Sequence, residues 1–90
     1  MLKVNFSKDA LQTLQSFPAK HAKQIAGKIQ QLALDPTSLP TKQLQGSAGF
    51  FRAKSGEYRI VFSVDNDELK IWLVGKRNDD EVYKRFSRKI

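Results

Sequence analysis

The sequence predicts an α+β fold: an N-terminal strand, a two-helix hairpin, a three-stranded antiparallel meander and a short C-terminal helix. Apolar residues recur at helical spacing between Ser7 and Ala33, then alternate with polar ones from Phe50 to Val74, broken by turn-type residues at Ser55-Gly56 and Asp65-Asn66-Asp67. The chain of 90 residues suffices for one modest hydrophobic core, so residues 1–90 read as a single domain.

Leu2, Val4 and Phe6 alternate with Lys3 and Asn5, the period-two pattern of a strand with one buried face. Ser7 offers a hydroxyl to cap a first helix whose apolar positions are Ala10, Leu11, Leu14 and Phe17, and Pro18 ends that helix or opens the next. Ala22, Ile25, Ala26, Ile29, Leu32 and Ala33 form the stripe of a longer helix stopping at Asp35-Pro36, and the two helices are expected to cover one sheet face. From Asp35 to Gly49, the residues Pro36, Pro40, Gly46 and Gly49 mark a long irregular connection, expected to be pinned by Leu39 and Leu44. Phe50 to Lys54, Glu57 to Val64 and Leu69 to Val74 read as the meander. Asp79 to Phe86 reads as the last helix, whose Asp79, Asp80 and Glu81 suit its positive end.

The composition narrows the function. There is no cysteine, which removes disulfides, thiolate metal sites and cysteine nucleophiles and suits a reducing cytoplasm. The N-terminus lacks the layout of a signal peptide, and no apolar run is long enough for a membrane span. A single histidine and the lack of a phosphate-loop glycine motif argue for chemistry without metal or cofactor. A net charge of +7 predicts attraction to nucleic acid, an acidic protein or an anionic membrane, and the cations from Arg52 onward are interleaved with Phe51, Tyr58, Trp72 and Tyr83, which favours RNA. His21 sits between Lys20 and Lys23, far in sequence from those strands, and is not read as catalytic.

With Ser55-Gly56 as a two-residue hairpin loop, Ala53 pairs with Tyr58, Arg52 with Arg59 and Phe51 with Ile60. That register places Phe51, Ala53, Tyr58, Ile60 and Phe62 under the helices and gathers Arg52, Lys54 and Arg59 on the other face. Like charges opposite one another are unfavourable, so the cluster calls for an anion. A loop at Asn66-Asp67 then pairs Val61 with Trp72 and Arg59 with Val74, adding Trp72 to the cationic face. RNA can be cut without metal when its 2′-hydroxyl attacks the adjacent phosphate, given in-line geometry, charge stabilisation and proton transfer. A lysine acting as base needs neighbouring cations to ease its deprotonation, and Arg52 and Arg59 flank Lys54. The structural alternatives pair Lys54 with Glu57, make Arg77 a turn cap and pack Tyr83 on Phe86 or the core.

The segments Arg52-Ala53-Lys54, Gly56-Glu57-Tyr58-Arg59-Ile60-Val61-Phe62 and Gly75-Lys76-Arg77 followed by Glu81-Val82-Tyr83 resemble the RelE/ParE toxin superfamily, as does the N-terminal strand and helical hairpin before them. The resemblance covers almost the whole chain. It implies a toxin of a type II toxin–antitoxin system, and in the RelE branch a ribosome-dependent, metal-independent endoribonuclease cutting mRNA in the ribosomal A site. It implies the catalytic set Lys54, Arg59, Arg77 and Tyr83, with Arg52 binding phosphate where the family often has lysine. Lys76, Lys84 and Arg85 are expected to add RNA contacts. The implied partners are the ribosome and an antitoxin whose acidic, amphipathic segment wraps the toxin in a hetero-oligomer. Two other readings share the fold: a ParE-like inhibitor of DNA gyrase, and a non-catalytic module that binds antitoxin or nucleic acid.

Overall fold

A computed structural model describes residues 1–38, 41–43 and 49–76. Strand β1 (Lys3–Phe6) leads into α1 (Lys8–Ser16) and α2 (Ala19–Leu34), and the chain returns as β2 (Thr41–Gln43), β3 (Phe50–Ser55), β4 (Tyr58–Asp65) and β5 (Glu68–Lys76). Among the described residues these strands form one five-stranded sheet in the order β1-β5-β4-β3-β2. β1 runs parallel to β5, and the other neighbouring pairs are antiparallel. The class is α+β, as the sequence predicts. Strand β2 corrects the reading of residues 35–49 as wholly irregular. Its three residues are polar and exposed, so no apolar alternation marks an edge strand held by its pairing with β3. The expected C-terminal helix from Asp79 to Phe86, and the pinning residues Leu39 and Leu44, lie outside the described residues.

The helices follow the sequence signals closely. Ser7 is extended and its Oγ accepts from the Ala10 amide at 3.0 Å, which satisfies one of the unpaired amides at the start of α1. Phe17 caps α1, and Pro18, which has no amide to lose, precedes α2. On α2, Ile25, Ile29, Leu32 and Ala33 are buried against the sheet, while Ala26 lies just off that stripe and is exposed. Leu11 of α1 is likewise exposed although expected in the core. The α2 end is tied to the start of the chain by the Leu2 amide donating to the Ala33 carbonyl at 2.8 Å. Asp35 caps α2, and its carboxylate accepts from both the amide and the hydroxyl of Thr37, at 2.9 and 2.7 Å.

The core lies between the helices and one sheet face. Ala53, Tyr58, Ile60, Phe62, Leu69, Ile71 and Val74 meet Ala10, Ile25, Ile29, Leu32 and Ala33 there, with Leu2, Phe6, Leu14, Phe17 and Phe51 packed at its margin. Full burial of one such Ile or Leu side chain contributes about 1.5–3 kcal/mol. His21 belongs to this face: its ring meets Tyr58 edge-on at 5.4 Å, and Phe17 lies 4.7 Å from the same ring.

Two details of register differ from expectation. Ser55 pairs with Tyr58, so the β3–β4 loop is Gly56-Glu57 rather than Ser55-Gly56; Gly56 supplies the left-handed backbone, at φ +60°, that opens it. Ala53 therefore faces Ile60, Phe51 faces Phe62, Lys54 faces Arg59 and Arg52 faces Val61. Each β3 residue meets a partner two positions further along β4 than predicted, and an even shift leaves every side chain on its predicted face. The second difference is a bulge. Asn66-Asp67 forms the β4–β5 loop as expected, with Asn66 at φ +57°. Val61, however, faces Leu73 while Phe62 faces Ile71, so Trp72 is the extra residue and Arg59 meets Gly75 rather than Val74.

Candidate nucleic-acid interface

The face of the sheet turned away from α1 and α2 carries the cations. Alternation along β3 and β4 that sends Phe51, Ala53, Ile60 and Phe62 to the core must send Arg52, Lys54 and Arg59 to this face. Two cross-strand pairs then place like charges opposite one another, Lys54 with Arg59 and, through β2, Lys42 with Arg52. The expected opposition of Arg52 and Arg59 is replaced by these two pairs. Such pairs are destabilising when left to themselves. Among the described residues, Lys42, Lys54 and Arg59 have no carboxylate within ion-pairing distance, and the alternative that pairs Lys54 with Glu57 is not realised.

Arg59 is held rather than splayed into solvent. Its Nη1 donates to the carbonyls of Tyr58, at 2.9 Å, and Gly56, at 3.2 Å, so the turn itself grips one prong of the guanidinium. Because Arg59 faces Gly75, β5 puts no side chain against it on this face. A guanidinium fixed in this way and facing a glycine keeps the rest of its fork for an anion.

Beyond the cations the same face becomes aromatic. Trp72 and Phe50 meet edge-to-face at 5.7 Å and pack on Val61 and Leu73, and the Trp72 indole N–H donates to Ser63 Oγ at 2.8 Å. Ser7 supports the bulge from below: while capping α1, its hydroxyl donates to the Trp72 carbonyl at 2.6 Å, and its amide donates to the Ile71 carbonyl at 2.8 Å.

The fold brings Arg52, Lys54 and Arg59 together and puts Trp72 on their face. Lys76 is not on it by register, because it pairs with Tyr58 on the helix side of the sheet. Arg77, Tyr83, Lys84 and Arg85 lie outside the described residues. Lys42 is the member the sequence did not reveal. Only its pairing with Arg52 places it in the cluster, and the one available signal was a lysine flanked by Thr41 and Gln43 in a short polar run.

A basic, partly aromatic face on a helix-backed five-stranded sheet defines a small α+β protein fitted to bind a polyanion. A sequence profile of the ParE toxin of type II toxin–antitoxin systems matches residues 4–81. The chain thus belongs to the RelE/ParE toxin superfamily, as a toxin of a toxin–antitoxin system. Among solved structures, it is similar to the archaeal RelE–RelB complex from Pyrococcus horikoshii, at 25% identity and TM-score 0.72, over 86% of this chain and 96% of that one. The RelBE2 toxin–antitoxin complex from Mycobacterium tuberculosis gives 25% identity and TM-score 0.74 over 84% and 98%. The isolated E. coli RelE toxin shares the fold at 22% identity and TM-score 0.75, over 99% of this chain and 98% of that one. No curated protein matches the chain in sequence. No described helix is long and apolar enough to cross a membrane.

Proposed function

We propose that this toxin is a metal-independent endoribonuclease that cuts mRNA in the ribosomal A site and so inhibits translation. The observation that carries the reading is the cation cluster of Lys42, Arg52, Lys54 and Arg59 on one face, with two like-charged pairs directly opposed. A phosphodiester relieves the repulsion between Lys54 and Arg59, and a transition state of higher charge relieves it further, which is the condition for electrostatic catalysis. In the proposed reaction the RNA 2′-hydroxyl attacks the adjacent phosphorus, the bond to the 5′-oxygen breaks, and a cyclic phosphate and a 5′-oxide result, the oxide taking a proton from solvent to become the free 5′-hydroxyl. Lys54 takes the 2′-hydroxyl proton. Arg59, gripped by the turn, stabilises the charge on phosphorus with Arg52, and Lys42 holds a neighbouring phosphate. Arg77, next after Lys76 in the chain, is assigned to the leaving oxygen and Tyr83 to the nucleotide, while Lys84 and Arg85 add charge for RNA.

So few groups suffice if the ribosome supplies the in-line geometry. The proposed cellular partner is an antitoxin with an acidic, amphipathic segment: solved relatives include RelE–RelB complexes, and the net charge of +7 complements such a segment. The match to a ParE profile favours a second reading, inhibition of DNA gyrase through the same basic face.

Purified protein is incubated with ribosomes stalled on a defined message, and new RNA ends are mapped beside Lys54→Ala and naked message. The proposal expects cuts in the A-site codon that are scarce on naked message and fall about 100- to 1,000-fold in the variant. Intact message together with loss of gyrase supercoiling would transfer the function to the second reading.

A further inference from the structure

At the far end of the cation-bearing face, where β1 meets β5, a cleft of about 170 Å³ is lined by Asn5, Phe6, Ser7, Lys70, Ile71 and Trp72. The parallel register sets Asn5 beside Lys70, and Lys70 pairs with Ser63 of β4, so both belong to the same face as Arg59. Sites that enclose a whole small molecule run to about 300–1,000 Å³. This one is smaller, and suits a single flat ring. Trp72 lines it, and the indole of that residue is fixed by the bond to Ser63 and by Phe50, its carbonyl by the Ser7 hydroxyl. Its rim holds a neutral amide that is exposed, Asn5, and a cation, Lys70, whose ammonium sits 3.6 Å from Glu68.

We propose that this cleft is a second nucleotide subsite for single-stranded RNA, taking one base on the Trp72 indole with its edge bonded by Asn5 and the adjoining phosphate met by Lys70. The inference rests on the RNA reading of the cation cluster. The chemistry differs from that of the cluster: no proton is moved, and a cation already balanced by a carboxylate gives a mild hold instead of a strong field. A rigid aromatic plane contributes stacking without regard to sequence, while the amide selects among base edges by hydrogen bonding. The bulge explains why the plane exists. As the residue unmatched on β4, Trp72 is displaced from the regular alternation, and it belongs both to the Phe50–Val61–Leu73 packing and to the lining of the cleft.

Trp72 is the single tryptophan of the chain, so its emission reports directly on the cleft. The test titrates the full-length protein with a short 2′-O-methyl RNA, which binds without being cut, at several salt concentrations, beside Asn5→Ala, Lys70→Gln and Arg59→Ala. The expected result is quenching of Trp72 on binding, an affinity about 2- to 12-fold weaker in Asn5→Ala, the value of one neutral hydrogen bond, and a log–log salt slope shallower by about 0.7 in Lys70→Gln, one phosphate contact on a single strand. Circular dichroism confirms that each variant is folded. Binding that leaves the emission and both rim variants unchanged, while Arg59→Ala weakens it, overturns the subsite and leaves the nuclease reading standing. Quenching with both rim effects, in a protein that never cuts mRNA on the ribosome, keeps the subsite and removes the nuclease. Loss of RNA binding altogether in the unmodified protein overturns the subsite.

Discussion

The two faces of the sheet are made by the same strands and do opposite things. On the helix side, Ala53, Ile60, Phe62, Leu69, Ile71 and Val74 are buried by 98% or more against α1 and α2. On the other side, Arg52, Lys54 and Arg59, one position away in β3 and β4, join Lys42 of β2 in opposed like-charged pairs. The helix-side face carries most of the core, whereas the other combines a smaller packed cluster around Val61 and Leu73 with electrostatic strain that a neutral surface would avoid. Local rules of consistency hold where folding is decided and fail where a partner is awaited. The failure is informative because it is confined to one surface, and its alternation with the core in β3 and β4 leaves the cations no other place to go.

The largest loss is expected when the helix-side face is thinned. Ile60→Ala removes a side chain with no solvent exposure at the centre of β4. It is expected to cost about 2–5 kcal/mol, read as a fall in the midpoint of urea unfolding with an unchanged slope. A cost below 1 kcal/mol would mean that the core has no tight packing at β4.

How far this division can be read from sequence depends on parity. Alternation fixes faces, and the hairpin loop was misplaced by a step that preserves alternation, so Arg52, Lys54 and Arg59 come out on the right side although their partners across β3–β4 do not. Ser55 misleads because its residue type suits a turn, yet it is 1% exposed and completes the ladder opposite Tyr58. The bulge at Trp72 left no mark, since it arises from tertiary support: the Ser7 hydroxyl satisfies the Trp72 carbonyl from another element. Strand β2, and with it Lys42, was hidden for a related reason. An edge strand of exposed polar residues is defined by backbone pairing alone. Ser7 as a helix cap was legible, but its second task was not.

A smaller effect sharpens the contrast at that joint. Ser7→Ala removes both the α1 cap and the bond to the bulge, and is expected to cost about 1–2 kcal/mol. It should also shift Trp72 emission, because the indole belongs to the strand segment Ser7 holds. Stability lost with unaltered emission would assign Ser7 to capping only.

The smallest effect lies at the end of α2, away from both faces. Hydrogen bonds from the Thr37 hydroxyl and amide hold the Asp35 carboxyl below its usual pKa. A depressed folded-state pKa means that this contribution is present above the ordinary aspartate range of about 3.9 and is lost as pH falls through the folded value. Thr37→Val deletes the hydroxyl donor and should raise the Asp35 pKa, moving the acid loss to higher pH. Carboxyl chemical shifts followed through an acid titration give the answer, and an Asp35 curve identical in the two proteins would refute the assignment.

The cations of the far face are proposed to act on RNA and to be dispensable for folding. Arg59→Ala, assayed on ribosomes carrying a defined message and melted in the same buffer, tests both halves together. Expected are a folded protein less stable by no more than about 0.5–1.5 kcal/mol, the value of the hydrogen bonding Arg59 gives the turn, and A-site cutting reduced about 100- to 1,000-fold. A folded Arg59→Ala protein that cuts at the parent's rate would contradict the proposal.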